Sequence, residues 1–239
     1  MSISAANRKV KFIDLGVIEY RQAWHYQDRL MQEILAQKVA SRNSTAHTRP
    51  QTSNYLIFCQ HPHVYTLGRN GHPAHLLADA AQLERLGATY VHTNRGGDIT
   101  YHGPGQLVGY PVLDLENFFT DIHRYMRSLE EAIILTLQHF GLPAGRIEGL
   151  TGVWVDPQEP HRARKICAMG VKTSRWVTLH GFALNVNTNL SYFNYIVPCG
   201  IRDKAVTSME KELGRSVALT DVALVLKAKL AEVFEMEWI

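Results

Sequence analysis

Hydrophobic positions follow two periods along this chain, and the switches between them mark its elements. Residues 9–15 are apolar and β-branched enough to predict a first strand. From 20 to 39 the period turns helical, with Tyr20, Ala23, Trp24, Leu30, Met31, Ile34 and Leu35 on one face. Residues 41–53 are polar around Pro50 and read as a loop. Residues 55–59 are all apolar and predict a buried strand in which Cys59 is a small core residue. Residues 76–86 predict a modest helix stopped by Gly87, and 88–91 a strand. Residues 107–115 predict another strand, where Gly109 and Pro111 point to a bulge or a sheet edge.

The most regular helix is 122–140, with Thr120 and Asp121 as caps and Gly141 and Pro143 as stops. Beyond residue 150 the period of two returns at 153–155, 165–172 and 176–186, with turn residues between, which predicts a meander. A short helix at 208–213 and a longer one at 220–234 follow. There is no internal repeat and no linker long enough to separate a pair of large domains. The expected class is α+β (α/β): a mixed β-sheet flanked by helices, one domain over 1–239, with 208–239 as a small helical C-terminal segment.

Composition narrows the function classes. The 239 residues are enough to bury one sizeable core. Lys+Arg 25 against Asp+Glu 22 gives a net charge of +3, too balanced for a general nucleic-acid binder. No run reaches membrane-spanning length, and the first ten residues have no apolar core of secretory length. Cys59, Cys167 and Cys199 form neither a paired framework nor a metal spacing. The expectation is a cytoplasmic protein with reduced thiols, no membrane insertion and no nucleic-acid partner.

Candidate chemistry concentrates in 95–110, where five glycines, a proline, Arg95 and His102 crowd into sixteen residues. Exposed peptide N–H groups beside a cation and a titratable ring suit a polar substrate head. Cys199, between Pro198 and Gly200, puts a thiol on a rigid turn. A thiolate nucleophile needs a nearby cation or base, and Lys165 is the best candidate. Alternation puts Lys165, Cys167 and Met169 on one face of their strand, so Cys167 competes for the role of nucleophile. Lys165 itself reads equally as an edge lysine or a recruited one. His61 and His63 alternate like metal ligands, but no further ligand set accompanies them, and no metal is expected.

The stretch Arg95-Gly96-Gly97-x-x-Thr100-Tyr101-His102-x-x-Gly105-Gln106-x-Val108-x-Tyr110 resembles the signature of the lipoyl(octanoyl) transferases. Further blocks follow in the same order as in that family: Lys165-Ile166-Cys167-Ala168-Met169-Gly170, then His180-Gly181-Phe182-Ala183-Leu184-Asn185-Val186, then Pro198-Cys199-Gly200 and Val206-Thr207-Ser208. The resemblance runs from about Tyr65 to Ser208. It implies a fold shared with biotin and lipoate protein ligases. It also implies transfer of octanoyl from octanoyl-acyl carrier protein to a lysine of lipoyl domains, those of 2-oxoacid dehydrogenase E2 subunits and of the glycine cleavage H protein.

By the same resemblance Cys199 holds the acyl group as a thioester, and Lys165 lowers its pKa and shuttles protons. Substrate binding falls on Arg95, Gly96, Gly97, Asp98, Ile99, Thr100, Tyr101 and His102, on Ala168, Met169 and Gly170, and on Gly181, Phe182 and Ala183. His102 reads equally as a loop-stabilising residue. Phe182 departs from the family pattern and bears on how the acyl tail is held. No cofactor is implied, and the chain lacks the Gly-x-x-x-x-Gly-Lys-Ser/Thr nucleotide loop. Two alternatives make other predictions. An ATP-dependent lipoate–protein ligase calls for a Gly-Gly-Gly loop where this chain has Arg95-Gly96-Gly97-Asp98. An inactive relative that only binds lipoyl domains would not need Lys165 and Cys199.

Overall fold

Residues 7–43, 51–197 and 205–239 are described by the computed structural model. In chain order the strands are β1 (Lys9–Val17), β2 (Tyr55–Gln60), β3 (Val64–Leu67), β4 (Thr89–His92), β5 (Ile99–His102), β6 (Gln106–Val112), β7 (Gly145–Ile147), β8 (Leu150–Val155), β9 (Arg164–Ser174), β10 (Val177–Asn185), β11 (Ala205–Val206) and β12 (Glu237–Trp238). The helices are α1 (Tyr20–Asn43), α2 (Ala80–Arg85), α3 (Ile122–His139), α4 (Met209–Leu213) and α5 (Leu219–Phe234). The large mixed sheet runs β12-β1-β2-β6-β10-β9-β8-β7, with β11 alongside β9; a small sheet runs β4-β3-β5.

Helices cover both faces of the large sheet, which is why its central strands read as continuous apolar runs. Along β2, Leu56 and Phe58 face the layer of α3 and α5, while Tyr55, Ile57 and Cys59 face α1. The α1 layer is built by Ala23, Leu30, Met31 and Ile34, four positions of its expected face. On α3 the buried line is Tyr125, Leu129, Ile133 and Leu137; on α5 it is Val222, Leu226, Leu230 and Phe234. Burying each such aliphatic or aromatic side chain contributes roughly 1.5–3 kcal/mol. α5 packs on α3 and β12 pairs with β1, so residues after 208 close the main core. Among the described residues no helix is long and apolar enough to cross a membrane.

The expected fold class is what the structure has, as is the meander of β8, β9 and β10. Two expectations need correction. β6 is neither an edge nor bulged: it pairs in unbroken register with β2, Leu56 lying opposite Pro111, and with β10 from Gln106 to Gly109. Pro111, with no N–H, instead interrupts the other ladder. In register His180 would face it; His180 takes φ 61, and its N–H goes to Gln27 Oε1 of α1 at 3.0 Å. Pairing resumes at Thr178, whose N–H donates to Leu113 O at 2.9 Å. The expected helix over 76–86 starts only at Ala80, because Asp79 and Gln82 form a capping box there. β3 and β5, four residues each, carry too few positions to show a period, and their apolar spacing predicts no strand.

Candidate active site

The glycine-rich stretch is held where the small sheet meets β9 and β10. Its opening residues join β4 to β5, and Gly96 N–H donates to Val171 O of β9 at 2.9 Å. On its other side the turn after β3 is clamped to it, with Arg69 N–H donating to Arg95 O at 2.9 Å and Gly68 N–H to Asp98 O at 3.2 Å. Beside these contacts lies a partly open cavity of about 550 Å³, within the range of small-molecule sites.

Most of the expected site residues come together around this cavity. Arg95, Gly96, Gly97, Asp98, Ile99, Thr100 and His102 line it, as do Lys165, Ala168, Met169, Gly170, Gly181, Phe182 and Ala183. Tyr101 does not. Its side chain packs into the core of the small sheet, where its hydroxyl meets His63 Nδ1 at 2.7 Å and its ring stacks on Tyr192. Cys199 lies outside the described residues. The chain runs to Val197 on one side of it and resumes at Ala205 on the other, and Phe193 and Val206 on these two flanks both line the cavity. Sequence reasoning missed Tyr20, Gln106, Asn185 and Met126 as wall residues. Gln106 and Asn185 lie within the family-like motifs, whereas Tyr20 and Met126 look like ordinary helix-face residues.

The wall is apolar at Val108, Met126, Leu150, Met169, Val171, Phe182 and Phe193. Its polar side is a buried network. Arg95 donates through one terminal nitrogen to Thr66 O at 2.6 Å and Thr66 Oγ1 at 2.9 Å, and through the other to Gly96 O at 3.0 Å. His102 Nδ1 lies 2.8 Å from Gln106 Oε1, Gln106 Nε2 donates to Asn185 Oδ1 at 2.8 Å, and Asn185 Nδ2 donates to Thr207 O at 3.0 Å. Tyr20 stacks on His102, and burial pushes its hydroxyl up to about 12. Asp98 is tied to His75 Nδ1 at 2.6 Å and to the Ile99 N–H at 2.7 Å.

Three buried histidines are held neutral. Burial lowers His61 to about 4 and His180 to about 3, Arg95 adding to the latter, and it drives His102 well below the usual range. His61 sits between Ile18 O and the Tyr110 hydroxyl, each at 2.7 Å, while His63 stacks on Tyr192, so the two diverge. Among the described residues no group of three or more His, Cys, Asp or Glu could hold a metal ion. The histidines give the fold an acid limit. Their unfolded forms take up protons near pH 6.5 and their folded forms do not, so stability is full above about pH 7 and falls below about pH 6.5. At pH 5 unfolding should take up about two to three protons from these groups, a loss of roughly 3–4 kcal/mol per pH unit. Denaturant titrations at pH 7 and pH 5 measure it; equal stabilities would contradict the neutral cluster.

Lys165 sits where β9 changes neighbours. β10 pairs with β9 only as far as Cys167, and β11 takes over that edge with Val206 opposite Lys165 and Thr207 N–H donating to Lys165 O at 2.9 Å. The Lys165 ammonium lies 4.7 Å over the ring of Trp154. Cys167, on the same strand, is fully buried in the α3 layer, and burial pushes its thiol up; Cys59 is likewise buried and raised. The described thiols are therefore poor nucleophiles. What remains is a largely apolar cavity with an amine among its lining residues, a layout suited to an apolar ligand.

Comparison with known proteins accords with this layout. Residues 19–231 match the family described as the lipoyl protein ligase A/B catalytic domain. The octanoyltransferase of Cytophaga hutchinsonii is 58% identical over 96% of this chain and 94% of its own, and that of Flavobacterium johnsoniae 55% over 97% and 99%. In fold the chain is similar to a bipartite lipoate protein ligase from Thermoplasma acidophilum, with a TM-score of 0.68 at 18% identity over 98% of this chain and 86% of that one. With a family match across most of its length and relatives at this identity, the chain belongs to the lipoyl protein ligase A/B catalytic-domain family, among the octanoyltransferases, and is an acyltransferase.

Proposed function

We propose that this acyltransferase takes octanoyl from octanoyl-acyl carrier protein and delivers it to a lysine of lipoyl domains, those of 2-oxoacid dehydrogenase E2 subunits and the glycine cleavage H protein, in the cytoplasm. The observation that carries the reading is the position of Lys165. It stands on the wall of the apolar cavity, beside the strand by which the chain returns from the segment holding Cys199. In the first half-reaction the Cys199 thiolate attacks the thioester carbonyl, a new thioester forms, and the carrier thiol departs with a proton from the Lys165 ammonium. In the second, the neutral amine of the target lysine attacks, an amide forms, and Lys165 regains the proton as Cys199 leaves as thiolate. One thioester replaces another in the first step and an amide forms in the second, so no nucleotide is consumed.

The test is intact-protein mass after mixing with octanoyl-acyl carrier protein and no ATP. A hydroxylamine-labile octanoyl adduct is expected, discharged when a lipoyl domain is added. No adduct, or transfer that starts only with ATP, would overturn the reading in favour of a ligase.

A further inference from the structure

We infer that Trp154 is a positioning residue, which holds the Lys165 ammonium in place through the face of its indole ring; this rests on the role proposed for Lys165. The arrangement comes from a slip between β8 and β9. Val153 lies opposite Cys167, but the next residue, Trp154, lies opposite Lys165, so Ile166 is the extra residue on β9. Directly opposed residues of an antiparallel pair share a face. Unbroken register after Val153 would set Val155 opposite Lys165; the bulge sets an aromatic ring there instead, with Val155 opposite Arg164.

Gly152 lets β8 lie close against the Cys167 carbonyl, beside the lysine stem. Its φ is +111, and a Cβ there would lie 2.6 Å from Cys167 O and 3.5 Å from Lys165 Cε. The buried carboxylate of Glu130 fixes this corner, accepting from Gly152 N–H at 2.9 Å while pairing with Arg127 and Arg146. The Trp154 ring is 1% exposed, so a cation over it is only partly screened by water. Among the described residues nothing in the packing of the β8 core needs tryptophan for its polar edge, since the buried indole Nε1 has no hydrogen-bond partner there. The ring face turned to Lys165 is the feature with a function.

The experiment follows alkylation of the Cys199 thiol by iodoacetamide against pH, with the steady-state kinetics of octanoyl transfer. Cys59 and Cys167 are buried, so alkylation of the folded enzyme reports Cys199. Trp154→Met should lower the alkylation rate at neutral pH about tenfold and move its midpoint to higher pH. kcat should fall by a similar factor with KM within about twofold, and Trp154→Phe should restore most of both. In a Lys165→Met background, Trp154→Met should add nothing further. Equal losses in both backgrounds would mean that Trp154 only packs, and would overturn the inference, as would an unshifted pH profile in the single variant. Should Trp154→Met not fold, uniform fluorination of the tryptophan rings weakens their faces without changing the fold. It should slow alkylation of the wild type but not of Trp154→Phe, and equal responses would overturn the inference. If Lys165→Met alone is alkylated like the wild type, the dyad fails and this inference with it, and that single variant identifies the cause.

Discussion

Replacing Cys199 by serine should abolish the octanoyl-enzyme adduct and lower octanoyl transfer by about 10³-fold or more, while Cys167→Ser leaves the adduct in place. The contrast follows from the two environments. Cys167 is fully buried between β8 and β10 among the side chains that meet α3, and a thiolate there would be an unsolvated charge. Cys199 belongs to a segment whose flanking residues Phe193 and Val206 line the cavity that also holds Lys165. Serine at 199 keeps the shape but has a far weaker nucleophile at neutral pH. Intact-protein mass and single-turnover rates for both variants check it. A full adduct on Cys199→Ser, lost instead from Cys167→Ser, would move the nucleophile into the strand and require β9 to open.

Gly181→Ala should cost about 3 kcal/mol, lower the melting temperature by roughly 6–12 °C and slow octanoyl transfer as well. A Cβ at this position would lie 2.1 Å from Gly109 O and 2.8 Å from Pro111 Cδ. Backbone of the neighbouring strand stands in the way, and no side-chain rotation relieves that. The strain falls where Pro111 already interrupts the β6–β10 ladder, so the strands should separate further at the cavity wall, of which Gly181 is a member. Thermal unfolding and the KM for octanoyl-acyl carrier protein measure the two effects. A variant melting within two or three degrees of the wild type would show that the strands separate at little cost, contrary to this account.

Much of the architecture could be read from spacing alone. The faces of α1, α3 and α5, the buried strand β2 and the β8–β10 meander follow from apolar periodicity, which depends only on residues a few positions apart. The chemistry of the 95–102 stretch was legible for a similar reason: its residue types are dense and close together. Its wall partners were not. Gln106 and Asn185 are hydrogen-bonded to each other 79 positions apart, and no local pattern announces such a pair. β6 looked like an edge because Pro111 weakens any strand, yet helices on both sides of the sheet make its central position favourable despite a lost hydrogen bond.

The sequence by itself determined most of the long helices and strands, which of their faces are apolar, and that a glycine-rich loop, a strand lysine and a loop cysteine are present. These are properties of residue type and short-range geometry. Only the tertiary structure decided which cysteines are withdrawn from reaction, which histidines are neutral, and which ring lies beneath Lys165. Each of these depends on desolvation or on strand register, and both are set by contacts between residues distant in the chain.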